Sequence, residues 1–122
     1  MQHKMTSPIK IIIQKITSQE LSSFLGQPFE EMVKFVIDVE KGIIALGGEL
    51  HSDAEQILLE AGSKQENLWG ANIYPNKSDK ERLEYASLIN IRPSQNNFGL
   101  EITDKSLWQK IKNTVDKLLP QL

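Results

Sequence analysis

VKFVIDVEKGIIALGGELHSDAE, residues 33–55, is the stretch on which the reading of this chain turns. Val33–Val39 and Ile43–Glu49 are two apolar runs rich in β-branched residues, and Glu40-Lys41-Gly42 between them is a three-residue connector with glycine last. That spacing suits a type I turn closed by a left-handed bulge position, so the stretch predicts a β-hairpin. In its first strand Val33, Phe35, Ile37 and Val39 share one face. Lys34, Val36 and Asp38 share the other, which is too apolar to be simply solvated. Gly47-Gly48, inside a strand pattern, marks a bulge or a close approach of another backbone. The run then passes into a helix through Ser52 and Glu55, spaced as a capping box, with Ala54, Ile57, Leu58 and Ala61 as its apolar stripe and Gly62 at its end.

Outward from the hairpin, Ile9–Ile16 reads as a strand opened by Pro8, and Thr17 with Glu20 caps a short helix carrying Leu21, Phe24 and Leu25. On the other side SKQENLWG is a loop bearing Trp69, and Ala71–Tyr74 is a short strand stopped by Pro75. Arg82–Arg92 alternates like a half-buried strand, Pro93–Asn97 has turn chemistry, and Phe98–Ile102 returns as another strand. Thr103 or Asp104 caps a last helix whose apolar face is Leu107, Trp108, Ile111, Val115 and Leu118. Hairpins dominate and no βαβ alternation is visible. The expected fold is α+β, a mainly antiparallel sheet with two to three helices on one face, in a single domain over residues 8–122 after a frayed tail at 1–7.

Composition narrows the function. Hydrophobic residues at 39% and charged residues at 25% describe a globular chain rather than a disordered one. The absence of cysteine closes thiolate metal sites and thiol catalysis. A net charge of −2 argues against a general nucleic-acid backbone binder. No apolar run approaches the ~20 residues of a membrane span, nor does the N-terminus read as a secretory signal, so a cytoplasmic protein is expected.

Three polar groupings are candidates for chemistry. Glu49, His51 and Asp38 could bind a divalent metal or supply an acid and a base, although Asp53 and Glu55 beside them are explained by the helix start. Asn90 and Arg92, with Lys34 and Asp38, sit in apolar surroundings where polar groups need partners. Arg92 is one of only two arginines and the natural fork for an anion. Trp69 with Asn72 offers either a lid on the core or a ligand-stacking face. These groupings support three readings. One is a non-catalytic binding domain holding a small polar or anionic ligand, or a protein partner, through Arg92, Asn90, Asn72, Lys34 and Trp69. The second is a metal-dependent hydrolase or nuclease-like enzyme using Glu49, His51 and Asp38. The third is a homodimeric assembly subunit with Trp69 at its interface.

The segments MVKFVIDVEKGIIALGGELHSDAEQILLEAGSKQENLWGANIYP and EYASLINIRPSQNN resemble a family of small uncharacterised bacterial proteins, frequent in cyanobacteria, known as a conserved domain of unknown function. The matching positions are Asp38; Glu49, His51, Asp53 and Glu55; Ser63, Gln65, Trp69, Gly70 and Asn72; and Asn90, Arg92 and Pro93. The resemblance covers about half the chain and brings no activity or cofactor. It makes a shared site built from Glu49, His51, Asn72, Asn90 and Arg92 a better expectation than any one of these residues alone.

Overall fold

A computed structural model describes residues 7–122; of the expected frayed tail, all but Ser7 lies outside the described residues. Five strands, β1 (Ile9–Ile12), β2 (Val33–Asp38), β3 (Ile43–Gly47), β4 (Leu68–Ile73) and β5 (Leu83–Glu84), form one antiparallel sheet in the order β1-β3-β2-β4-β5. Three helices accompany it, α1 (Ser18–Ser22), α2 (His51–Glu60) and α3 (Lys105–Leu118). The fold is α+β.

The hairpin pairs Ile37 with Ile44 and Asp38 with Ile43. Its turn is drawn tight by the Asp38 side chain, whose Oδ1 accepts from the Glu40 and Lys41 N–H groups at 3.0 and 2.9 Å. Gly42 takes the left-handed position at φ +67° that only glycine adopts freely. At the far end of β3, Gly47 lies so close to β1 that a Cβ there would stand 2.2 Å from the Pro8 carbonyl oxygen. The double glycine is a close approach between strands.

Strand alternation sorts the core into two layers. Phe35, Ile37, Ile44, Leu46, Trp69, Ala71 and Ile73 point to one face and pack with Leu21 of α1 and with Ile111, Val115 and Leu118 of α3. Val36, Ala45 and Leu68 point to the other and are covered by Ala54 and Leu58 of α2. The helices are therefore divided between both faces, where the sequence reading places them on one. The reason is the mixed face of β2: Val36 with Ala45 and Leu68 is an apolar strip that water would penalise, and α2, crossing from β3 to β4, is the element available to cover it.

Helix boundaries follow their caps with one exception. Thr17 Oγ1 accepts from the Glu20 N–H at 3.0 Å, and Asp104 Oδ1 accepts from the Ser106 and Leu107 N–H groups. The Ser52–Glu55 box does not form: α2 begins at His51, its N-cap position is Leu50, and no side chain caps it.

The largest departures lie after Trp69. Strand β4 begins at Leu68, three residues earlier than expected, and takes Trp69 into the core. Arg82–Arg92 is not one strand. Only Leu83–Glu84 pairs with β4, and the chain then turns through short 3-10 segments at Leu88–Asn90 and Pro93–Gln95. Ser87 Oγ accepts from the Ile89 N–H at 3.2 Å, a local bond that competes with sheet pairing. Phe98–Ile102 likewise makes single bridges, Ala86 to Glu101 and Arg92 to Asn97 flanking it, rather than a strand. Alternation in 82–92 thus arises from a turn laid across the sheet edge, not from a pleat.

Candidate functional site

Beyond Asn72, the outer edge of β4 loses its strand partner, and side chains complete it. The Asn90 amide faces Gly70 as a strand would: its Oδ1 accepts the Gly70 N–H at 2.8 Å and its Nδ2 donates to the Gly70 carbonyl at 2.9 Å. Arg92 continues the same edge. Its Nη2 donates to the Leu68 carbonyl, Nη1 to Gln65 O and Gln95 Oε1 at 2.8 and 2.9 Å, and Nε to Ile89 O at 3.1 Å. The guanidinium also stacks on the Trp69 ring, 4.1 Å from its centroid. Burial pushes its pKa below the ordinary arginine value, with the Glu55 carboxylate pulling the other way. Four of its five N–H groups are occupied by the protein. Asn90, Arg92 and Trp69 therefore stand together as a buried edge cap, their polar groups satisfied within the fold. In turn Asn97 fastens this cap, donating to the Asn90, Gly99 and Glu101 carbonyls.

The metal grouping is dispersed. Both carboxylate oxygens of Asp38 are engaged, Oδ1 in the hairpin turn and Oδ2 with the Ser63 hydroxyl at 2.6 Å. Asp38 pairs with Leu68, two residues along β4 from the Gly70 over which His51 stands, roughly 7 Å at the ~3.4 Å rise of a strand. Glu49 is exposed in the turn before α2. Among the described residues, no three or more His, Asp or Glu side chains are placed to hold a metal ion.

What remains of the candidates is Lys34, His51 and Asn72, and these do come together. Lys34 and Asn72 are cross-strand partners on the face that α2 covers. That helix starts at His51 and runs away from them, so the sheet is left open past its N-terminus. The opening is a cavity of about 290 Å³. Its floor is Asn72, His51 and Ser87, all buried, with Lys34 half-buried beside them. Its rim is apolar and exposed: Leu50 (54%), Leu88 (77%) and Leu100 (48%).

The floor has a defined electrostatic state. His51 Nε2 lies 2.8 Å from the Ala71 carbonyl, so the neutral ring donates there and leaves Nδ1 as acceptor. Desolvation pushes its pKa below 6.5, and the Lys34 cation acts in the same direction; the Ala71 carbonyl, Asn72 and the Glu84 carboxylate oppose it. The imidazole is neutral at pH 7. Asn72 Nδ2 donates to Glu84 Oε1 at 2.9 Å, while its buried Oδ1, near the His51 ring, has no donor at hydrogen-bond geometry. Gly70 permits the crowding: a Cβ there would meet Ser87 Cβ at 2.6 Å and His51 Cδ2 at 3.2 Å. Ser87, Ser52 and the rim leucines were not among the sequence candidates. The only signal for Ser87 is the local S-x-I pattern, hydroxyl to amide two residues on.

The chain belongs to a family described as protein of unknown function (DUF5674), whose model matches residues 10–118. No curated protein and no solved structure matches it. The family carries no assigned activity, so the cavity's chemistry is the remaining guide. No helix among the described residues is long and apolar enough to cross a membrane.

Proposed function

We propose that this protein is a non-catalytic binding domain, and that its ligand is a small molecule taken into the cavity over the Lys34–Asn72 pair. The observation that carries the reading is the cavity lined by Asn72, a residue whose buried Oδ1 finds no donor at hydrogen-bond geometry in the protein. Buried polar atoms are otherwise paired in folded proteins, because leaving one unpaired costs about 1–3 kcal/mol. A ligand N–H or O–H would recover that penalty. The cavity sits at the lower end of the ~300–1,000 Å³ usual for small-molecule sites, and its apolar wall with a few polar groups has the usual composition.

Binding is favoured over catalysis by the state of His51. Its Nε2 is held by a main-chain carbonyl rather than by a carboxylate that would orient and activate it. Asp38 and Glu49, the intended metal ligands, do not reach the cavity. Trp69, the expected interface anchor, is part of the core and offers no surface to a second subunit.

The test is an NMR fragment screen on uniformly labelled protein. The expected result is that hits shift the amides of Lys34, Asn72 and Ser87 as a group, and that Ala86→Phe, which fills the cavity from its wall, abolishes the shifts without unfolding the domain. Hits that cluster elsewhere, or that survive Ala86→Phe, would sink the proposal.

A further inference from the structure

We infer that the ligand of this cavity is a small amphipathic carboxylate carrying an N–H or O–H donor next to its charge and an apolar group beyond it. The inference rests on the binding reading above and specifies its chemistry. Four observations converge on that class.

The first is Lys34. The residue lines the cavity, and its ammonium group makes no ion pair among the described residues; its one aromatic contact is the Phe29 ring, with the centroid at 5.2 Å. The second is the start of α2. Leu50 occupies the N-cap position and has no oxygen to offer, so the first-turn N–H groups receive no side-chain cap. Leu50, His51 and Ser52, where the helix starts, line the same cavity as Lys34. A helix start and a lysine together present positive potential to one spot, and an anion is the complement.

The third is Asn72, a lining residue only 7% exposed, whose buried Oδ1 finds no donor at hydrogen-bond geometry in the protein. An acceptor cannot satisfy it, so the ligand must carry a donor as well as a charge. The Ser87 hydroxyl beside it accepts from the Ile89 N–H and retains its own proton for a ligand oxygen. The fourth is the wall. Met32, Leu88, Ile89 and Leu100 enclose the remaining volume with apolar surface. One lysine amid such a wall suits a monoanion rather than a phosphate dianion.

The nearby acids are not part of the lining. Glu84 Oε1 accepts from Asn72 Nδ2 and from the Tyr74 hydroxyl, and the residue lines a separate groove instead. Glu49 and Asp53 are exposed and line no part of the cavity.

The probe set is N-acetyl-L-leucine, which has carboxylate, amide N–H and isobutyl group, against N-acetyl-L-leucinamide and 4-methylpentanoate. Titrations are followed by amide shifts in the labelled full chain. The expected result is that N-acetyl-L-leucine shifts Lys34, Ser52 and Asn72 and binds about tenfold more tightly than either comparison compound, as the loss of one charge-assisted or one buried hydrogen bond should give. Lys34→Met should remove the advantage over the leucinamide, and so should raising the salt to ~1 M, where the screening length falls to ~3 Å. Equal binding of acid and amide overturns the carboxylate assignment. Equal binding of N-acetyl-L-leucine and 4-methylpentanoate overturns the donor requirement. If all three fail while hits of the fragment screen still occupy the cavity, the inference falls and the binding reading stands. If no fragment reaches the cavity, both fall.

Discussion

Replacing Asn90 with alanine removes a side chain that stands in for a strand. In the native chain its amide closes both polar groups of Gly70 and adds a bond to the Leu100 carbonyl at 3.2 Å. The Leu100 carbonyl also accepts from the Ser87 N–H at 3.1 Å, so it keeps a partner. Gly70 is buried beneath Ser87 and His51, so its N–H and C=O would be left without partners. Two orphaned backbone groups at about 1–3 kcal/mol each give about 2–6 kcal/mol, and some water entry into the vacated space brings the expectation to ~3 kcal/mol. Stability of a chain this size is of order 6–18 kcal/mol, so Asn90→Ala should remain folded but melt ~10–15 °C lower. Urea unfolding followed by fluorescence of Trp69 and Trp108 measures it. Asn90→Asp sharpens the test, since it keeps the acceptor for the Gly70 N–H but sets a carboxylate against the Gly70 carbonyl. Protonation restores a donor there, so its carboxyl pKa is raised in the folded state, and Asn90→Asp should gain on Asn90→Ala as pH falls. A loss under ~1 kcal/mol for Asn90→Ala would refute the edge-cap assignment and return Asn90 to the candidates for ligand contact.

Arg92→Lys keeps the charge but cannot reach the Leu68, Gln65 and Ile89 carbonyls from one ammonium group; it should lower stability by about 2–3 kcal/mol in urea while leaving fragment binding at the cavity unchanged. Gly70→Ala places a Cβ 2.6 Å from Ser87 Cβ and should cost about 1–3 kcal/mol. The clash is with the Ser87 side chain alone on that side, so the double variant Gly70→Ala, Ser87→Gly should recover part of the loss, and strict additivity in the cycle would refute the contact. His51 gives a pH signature. Its folded pKa lies below 6.5, so the unfolded chain binds more protons between the two values and stability falls as pH drops from above 6.5 through that window. His51→Gln, which keeps a donor for the Ala71 carbonyl without titrating, should flatten the dependence of melting temperature on pH across about 5.5–7.5; an unchanged slope would place the effect elsewhere.

Much of the fold was legible because its causes are local. Residues 33–47 carry strand alternation, an aspartate that ties its own turn and a glycine at the left-handed position, all within hydrogen-bond reach along the chain. Thr17 and Asp104 announce their helices for the same reason. Family membership was legible too, since it is a property of sequence. Residues 82–92 show where this ends. Alternation there is real, but whether a run pairs as a strand depends on whether a sheet edge is free, and the edge of β4 is already closed by Asn90 and Arg92.

The polar candidates divide in the same way. Sequence alone named Asn90, Arg92, Asn72, Lys34, Asp38 and His51 as candidates, and for Lys34, Asp38, Asn90 and Arg92 the ground was apolar surroundings in which unpaired polar groups are costly. Which of them are satisfied is a matter of partners 20 or more positions away: Gly70 for Asn90, Leu68 for Arg92, Ser63 for Asp38, Ala71 for His51. Only the folded chain decides that four of these side chains close the structure while Asn72, beside Lys34, keeps an unpaired acceptor. Helix α2 sets that difference, because it covers the apolar strip at Val36 and Leu68 and starts short of the Lys34–Asn72 pair.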